Sequence, residues 1–471
     1  MKPKHTLKLR FLGAYAGVTG SKTHIQWGKH QYLIDCGLFQ GPKEVKEQNW
    51  AELPIDAKAL SAVILTHAHL DHTGYLPRLY RQGFRGPVYC SEGTAELAKI
   101  ILMDSAYLEE ELADYAQKTG YSRHKNPQPL FTTRDAEDVI KLFQPKPRNE
   151  WLELDETLSL RFLRAGHIIG SSFVQLRFQQ DQKARTLSFT GDIGHNRSMI
   201  LKGPEPITDT DVLVLESTYG DRLHPQTDGC TLLGQYLARA LKRQGVVVIP
   251  AFAVGRSQEI VYMIGHLERR GIIPQVPVFL DSPMSKRALD IFFSREEDQT
   301  VRSSFRQDPD SFFPKNFETI ESADQSMLIT MMDGPAIVVS ASGMLSGGRV
   351  LHHLKRRLPD ARSMVIFSGY QAEGTKGRFL QDNSASLKTL RIHHEEVEVA
   401  AEIVTIEHLS SHADYSEILQ WLEGLNQAPE QVLLNHGQGI AQDSLAEAIR
   451  KRFGWKVTPA HEQASWEFFG P

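Results

Sequence analysis

The chain has 471 residues, 41% of them hydrophobic, with 53 Lys and Arg against 57 Asp and Glu and a formal net charge of -4. This size calls for two or three domains with ample core, and a mean hydropathy of -0.33 requires no membrane span. The acidic balance excludes a nonspecific polycation, so a nucleic-acid partner has to be held by a local basic groove or by metal, while three scattered cysteines, Cys36, Cys90 and Cys230, argue against a Cys-based zinc site and for a reducing, cytoplasmic compartment.

After Met1-Lys2-Pro3-Lys4-His5, the alternation of Leu7, Leu9 and Phe11 predicts a first strand and not a secretory segment. Further strands are predicted over His24 to Trp27, Gln31 to Asp35, Ala62 to Leu65 and Gly86 to Tyr89, then a long helix from Gly93 to about Lys118. Strands follow at 158–163, 173–178, 186–189 and 212–215. Beyond Tyr219 the texture becomes alternating α and β: a helix over 231–244, the apolar run Val246 to Pro250, a helix over 257–270, and strands at 278–280, 336–340 and 364–367. A strand, helix, strand pattern resumes at 403–406, 415–425 and 431–434.

The densest chemistry is Thr66-His67-Ala68-His69-Leu70-Asp71-His72, directly after the run Ala62 to Leu65. His67 and His69 are two apart and point the same way in extended backbone, while Asp71 and His72 can turn toward a neighbouring point. One short loop thus offers ligands for two metals, and imidazole with carboxylate and no thiolate fits zinc best, with Mn2+ or Fe2+ as substitutes. Gly74 is expected to let the chain turn into a helix from Tyr75 to about Arg81. Two more strand-to-loop junctions carry His167, flanked by Gly166 and Gly170, and Asp192, in Gly191-Asp192-Ile193-Gly194.

In this order, H-x-H-x-D-H, a separate His and an Asp, the chain resembles the metallo-β-lactamase superfamily. Val212 to Gly220 with Glu216, Ser410 to Tyr415 with His412, and Leu434 to Gly437 with His436 look like motifs A, B and C of its β-CASP group, the nucleic-acid-processing branch. The resemblance extends over nearly the whole chain, supported by 251–258, 340–344 and 369–375. It implies an α/β fold, a metallo-β-lactamase αββα sandwich with an inserted open α/β β-CASP domain, divided as 1–218, 219–394 and 395–471. It also implies two Zn2+ per chain: His67, His69 and His167 on one, Asp71, His72 and His436 on the other, and Asp192 bridging.

Glu216 and His412 become a proton-handling pair, and a histidine at motif C is what RNA-directed members carry. The implied activity is ribonucleolytic, endonucleolytic or 5′-3′ exonucleolytic, in RNA processing or decay, with RNA as partner, no membrane, and a homodimer as is common in similar proteins. Chemically, a hydroxide shared by two zincs and anchored by Asp71 and Asp192 would attack the phosphorus, and His412, kept protonated by Glu216, would protonate the leaving oxygen. Arg256, Ser340, Ser342, Gly343, Arg349, Lys376 and Arg378 are the expected phosphate contacts, with solvated faces and plain turns as their ordinary alternative. Competing readings are a small-molecule lactonase or thioesterase, a DNA-directed nuclease of the same superfamily, and a catalytically silent RNA-binding subunit.

Overall fold

In the computed structural model, Leu7, Leu9 and Phe11 are buried while Lys8 is exposed, so the alternation read from the sequence sets the inner face of the strand Leu7–Phe11. The structure describes residues 5–119, 127–180, 183–225, 227–299, 309–369, 371, 374–460 and 465–470. Tyr370, Ala372 and Glu373 of the 369–375 motif lie outside them. The chain divides into two compact units: Met1–Asn196, Gly203–Leu223 and His412–Pro471 form the first, and Arg197–Lys202 with His224–Ser411 the second.

The first unit holds two seven-stranded sheets. One runs in the order Ser465–Phe468, Leu7–Phe11, Thr23–Trp27, His30–Ile34, Ala62–Ile64, Val88–Ser91, Phe143–Lys146. The other runs Val457–Pro459, Gln431–Asn435, Val212–Glu216, Lys183–Phe189, Ser172–Gln180, Leu158–Arg164, Leu152–Asp155. Trp27, Ile25 and Ile64 from the first meet Phe162, Leu176 and Phe178 from the second in one core. Helices Leu76–Arg81, Glu92–Thr119 and Thr133–Ile140 contribute the second core on the outer face of the first sheet, and Tyr415–Leu422 and Gly439–Phe453 a third on the second sheet. This is an αββα sandwich. The strand Ser465–Phe468, not anticipated from sequence, closes against Leu7–Phe11 in antiparallel register.

In the second unit every residue of Val246–Ala251 is buried, the signature of a parallel strand covered on both faces. The six strands of its main sheet are all parallel, in the order Phe317–Thr319, Val278–Asp281, Ala336–Ala341, Val246–Ala251, Met364–Phe367, Glu402–Thr405. The unit runs on to Ser411, past the boundary at 394 expected from sequence, because Glu402–Thr405 pairs with Met364–Phe367 and completes this sheet. Segment Arg197–Lys202 also belongs to it, through the Lys202 amide on the Asp298 carbonyl at 2.9 Å. Among the described residues no helix is long and apolar enough to cross a membrane.

Candidate metal centre

The site is built where strands of both sheets of the first unit end. Ala62–Ile64 delivers Thr66 to His72, the loop between Leu158–Arg164 and Ser172–Gln180 delivers His167, Lys183–Phe189 delivers Asp192, and the neighbouring strands Val212–Glu216 and Gln431–Asn435 end in Glu216 and, one residue on, His436. Close approach of these loops requires glycine. A Cβ on Gly170, whose φ is +81°, would lie 2.1 Å from the Thr94 amide nitrogen, and one on Gly191 would lie 2.6 Å from Thr66 Oγ1. Gly74 differs from expectation: its φ of -64° is ordinary right-handed backbone. What excludes a side chain there is Leu70 O at 2.7 Å from a Cβ.

Two sets of ligand atoms form. His67 Nε2, His69 Nδ1, His167 Nε2 and Asp192 Oδ2 gather at separations of 3.1 Å (67 to 69), 3.3 Å (69 to 167), 3.5 Å (67 to 192) and 3.6 Å (167 to 192). The edge of a tetrahedron with zinc-ligand bonds of about 2.1 Å is about 3.4 Å. The second set is His72 Nε2, His436 Nε2 and Asp71 Oδ2, with 3.1 Å between the imidazoles and 3.6 and 4.0 Å from Asp71 to His436 and His72. Asp192 faces both, since its Oδ1 lies 3.3 Å from His72 Nε2. As the spacing within Thr66 to His72 indicated, His67 and His69 fall in one set and Asp71 and His72 in the other. The helix Leu70–Thr73 begins directly after His69 and swings the last two away.

Three imidazoles have their outer nitrogen committed to the protein. His72 Nδ1 donates to Asp35 Oδ2 at 2.7 Å. Thr66 Oγ1 donates to Asp35 at 2.9 Å and accepts from His67 Nδ1 at 3.1 Å. Thr218 Oγ1 donates to the His436 carbonyl at 3.1 Å and accepts from His436 Nδ1 at 3.2 Å. With a hydrogen on Nδ1, each of His67, His72 and His436 in its neutral form keeps a lone pair on Nε2, the nitrogen that belongs to the ligand sets. Such lone pairs 3.1 Å apart, and a buried Asp192 Oδ1 that accepts no hydrogen bond, make a site that fits a cation.

The electrostatics agree for His67 and His69, whereas His72 holds a proton that a metal ion would displace. Burial, followed by the repulsion of His72, holds His67 well below the usual imidazole range, and burial lowers His69 too. Burial opposes charge on His72 as well, yet Asp192 and Asp35 hold it well above that range. Burial also opposes ionisation of Asp192, but His436, His72 and His67 around it keep it well below the usual carboxylate range.

His412 stands apart from the two sets. Its Nδ1 donates to Glu216 Oε1 at 3.1 Å, and its Nε2 lies 3.9 Å from Asp192 Oδ2. Burial pulls its pKa down, but Glu216 and then Asp192 push it up to about 9. Glu216 is itself pinned, accepting from the Ile193 amide at 2.6 Å and the Thr218 amide at 3.2 Å. Asp35 is the site residue that sequence reasoning missed; its only signal was an acid at the end of the predicted strand over Gln31 to Asp35.

The expected phosphate contacts all lie in the second unit, and several are already engaged there. Arg256 is buried and donates to Glu259 at 2.6 Å and Ser411 Oγ at 3.0 Å. Arg349 donates to Asp281 at 2.8 Å and to the Glu321 carbonyl at 2.7 Å. Ser340 is buried and donates to the Asp281 carbonyl. Ser342, in left-handed backbone, accepts from the Ser346 amide, and the Gly343 carbonyl accepts from Gln371. Arg378 pairs with Asp382 on the surface, while Lys376 is exposed.

A paired imidazole-carboxylate centre at the strand ends of an αββα sandwich defines a metallohydrolase of the metallo-β-lactamase type. Comparison with known proteins narrows this: family profiles match as "Metallo-beta-lactamase superfamily" over residues 25–237, "Beta-Casp domain" over 257–380 and "Zn-dependent metallo-hydrolase RNA specificity domain" over 396–459. The chain is 37% identical over 429 residues to Ribonuclease TTHA0252 of Thermus thermophilus, covering 90% of this chain and 92% of that one. It is 31% identical over 473 residues to Transcription termination factor FttA of Methanothermobacter thermautotrophicus, covering 96% of this chain and 71% of that one. A solved structure from Enterococcus faecalis V583, described as a protein of unknown function, shares the fold at a TM-score of 0.56 with 13% identity, over 98% of this chain and 100% of that one. The chain belongs to the β-CASP family of the metallo-β-lactamase superfamily.

Proposed function

We propose that this chain is a zinc-dependent ribonuclease that hydrolyses RNA phosphodiester bonds, endonucleolytically, from the 5′ end, or both. His67, His69, His167 and Asp192 would hold one ion, and Asp71, His72, His436 and Asp192 the other. Two zinc ions there would supply Lewis acidity for the phosphoryl oxygens and water of lowered pKa. The observation that carries the reading is His412, a proton donor held by Glu216 at 3.1 Å with its other nitrogen 3.9 Å from the shared Asp192.

Phosphodiester hydrolysis leaves a poor alkoxide, which needs a proton as the bond breaks. His412 Nε2 gives that proton, and Glu216 stabilises the imidazolium beforehand and fixes the ring. Asp35, Thr66 and Thr218 hold the remaining imidazoles in one tautomer. Lys376, Arg378, Ser342 and Gly343 would meet phosphates, and Arg256, Arg349 and Ser340 would act through the loops they hold. RNA as substrate is supported by the relative named a ribonuclease, by the matched RNA specificity profile, and by histidine at position 436.

The test is to incubate zinc-loaded protein with end-labelled RNA, matched DNA and a chromogenic lactone, with and without chelator. Chelator-sensitive cleavage of RNA is expected. Lactone turnover with RNA left intact would overturn the reading, and 5′-phosphorylated against 5′-hydroxyl RNA sorts the two modes of cutting.

A further inference from the structure

On the first unit, away from the metal ligands, two guanidiniums share one aromatic ring. Arg161 Cζ lies 4.5 Å and Arg177 Cζ 3.8 Å from the centroid of Trp151. The register explains the meeting: Leu152 pairs with Leu160, and Ser159 with Arg177, so Trp151, Arg161 and Arg177 come to the same face of adjoining strands. Arg161 also donates to the neutral Gln175, and neither arginine is in a salt bridge among the described residues. Exposed Glu150 and Glu153 flank the group and pair with neither. Burial, and after it the like charge of Arg177, lowers the Arg161 pKa against the opposing pull of Asp209. Lys146, Glu150 and Trp151 share the wall of an open cavity of about 90 Å3, and Lys146 Nζ lies 5.6 Å from the centroid of the Tyr89 ring. Three cations thus interleave with two aromatic rings.

Two guanidiniums on one ring repel one another, Asp209 only partly offsets that at Arg161, and a further anion relieves the cost. Cations interleaved with aromatic rings suit a single strand, whose phosphates take the charge and whose bases stack. The segment also leads toward the metal centre. Three residues before Trp151, Arg148 donates to Ser172 Oγ at 3.2 Å and the Ser171 carbonyl at 3.3 Å, in the turn where Ser171 Oγ accepts the His167 amide at 2.9 Å. Three extended residues span at most about 11 Å.

We propose that Trp151, Arg161, Arg177 and Lys146 form an RNA-backbone exosite on the outer surface of the sandwich, engaging single-stranded RNA at nucleotides outside the scissile position. This rests on the ribonuclease reading.

The test uses full-length zinc-loaded protein in a slowly cutting His412→Ala background, titrated with a fluorescent 20-nucleotide single-stranded RNA across a range of salt. Arg161→Gln with Arg177→Gln weakens binding about tenfold and reduces the slope of log affinity against log salt by about 1.4, at about 0.7 per phosphate released. The Lys pair R161K/R177K keeps the wild-type slope, and Trp151→Phe removes a fluorescence quench seen on RNA binding. Should the Gln pair not fold, R177Q alone carries the test with half the slope change. Unchanged affinity and slope in a folded Gln variant, or an undiminished quench in W151F, overturns the exosite. So does binding of polyglutamate at this patch with RNA affinity unaltered, which would assign it to an acidic protein. A parent protein that neither binds nor cuts RNA sinks the ribonuclease reading itself, an outcome distinct from these.

Discussion

His412 Nδ1 meets Glu216 Oε1 at 3.1 Å, and the same oxygen accepts the Ile193 amide at 2.6 Å. Ile193, the residue after Asp192, thus ties the Glu216 and His412 pair to the carboxylate that faces both ligand sets. Replacing His412 by Ala is expected to cut turnover about 10²- to 10⁴-fold while two zinc ions stay bound. Zinc loss measured by atomic emission would make His412 a ligand instead.

Asp192 faces both sets, at 3.5 Å from His67 and 3.3 Å from His72. Asp192→Asn should therefore weaken both ions together, and retention of one ion at wild-type affinity would contradict the sharing.

Asp35 offers no atom to either ligand set, yet it holds His72 Nδ1 at 2.7 Å and the Thr66 amide at 2.8 Å. Asp35→Ala is expected to lower zinc affinity about 10- to 100-fold in competition with a chromogenic chelator, with the folded signal retained.

The raised pKa of His412 has a stability consequence in metal-free protein. A histidine whose folded value of about 9 exceeds the unfolded value near 6.5 contributes fully below the unfolded value, and that contribution is lost as pH rises through about 9. The denaturation midpoint of metal-free protein should fall across this window relative to His412→Gln. Parallel curves for the two proteins would show that the ring is neutral throughout.

Gly170→Ala places a Cβ 2.1 Å from the Thr94 nitrogen in backbone with φ +81°. A loss of about 2 to 4 kcal/mol is expected in chemical denaturation, because both backbone strain and overlap act at once. An unchanged midpoint would mean that the loops carrying Glu92–Thr119 and His167 do not pack as described.

Much of the centre was legible in the sequence because its ligands form a pattern: His67, His69, Asp71 and His72 sit within six residues after an apolar strand. Asp35 was not, since one acid at a strand end has no pattern until its partner His72 is seen in space. Arg349 read as a free cation because its partner Asp281 lies 68 residues away in sequence. The strand Ser465–Phe468 was missed for the same reason, as it pairs with the other end of the chain. The hairpin of Thr389–Ile392 and Glu395–Glu398 turns through His393 and His394, both at positive φ, where Asn-Gly is the usual signal.

Whether two zinc ions in the sets sharing Asp192 make this chain a ribonuclease is read from a stepwise zinc titration of metal-free protein with end-labelled RNA present, following cleavage and bound zinc together. The expected result is cleavage that rises to a plateau at two zinc ions per chain and is absent in Asp192→Asn. Cleavage at full rate without metal, or RNA left intact with two ions bound, would contradict it.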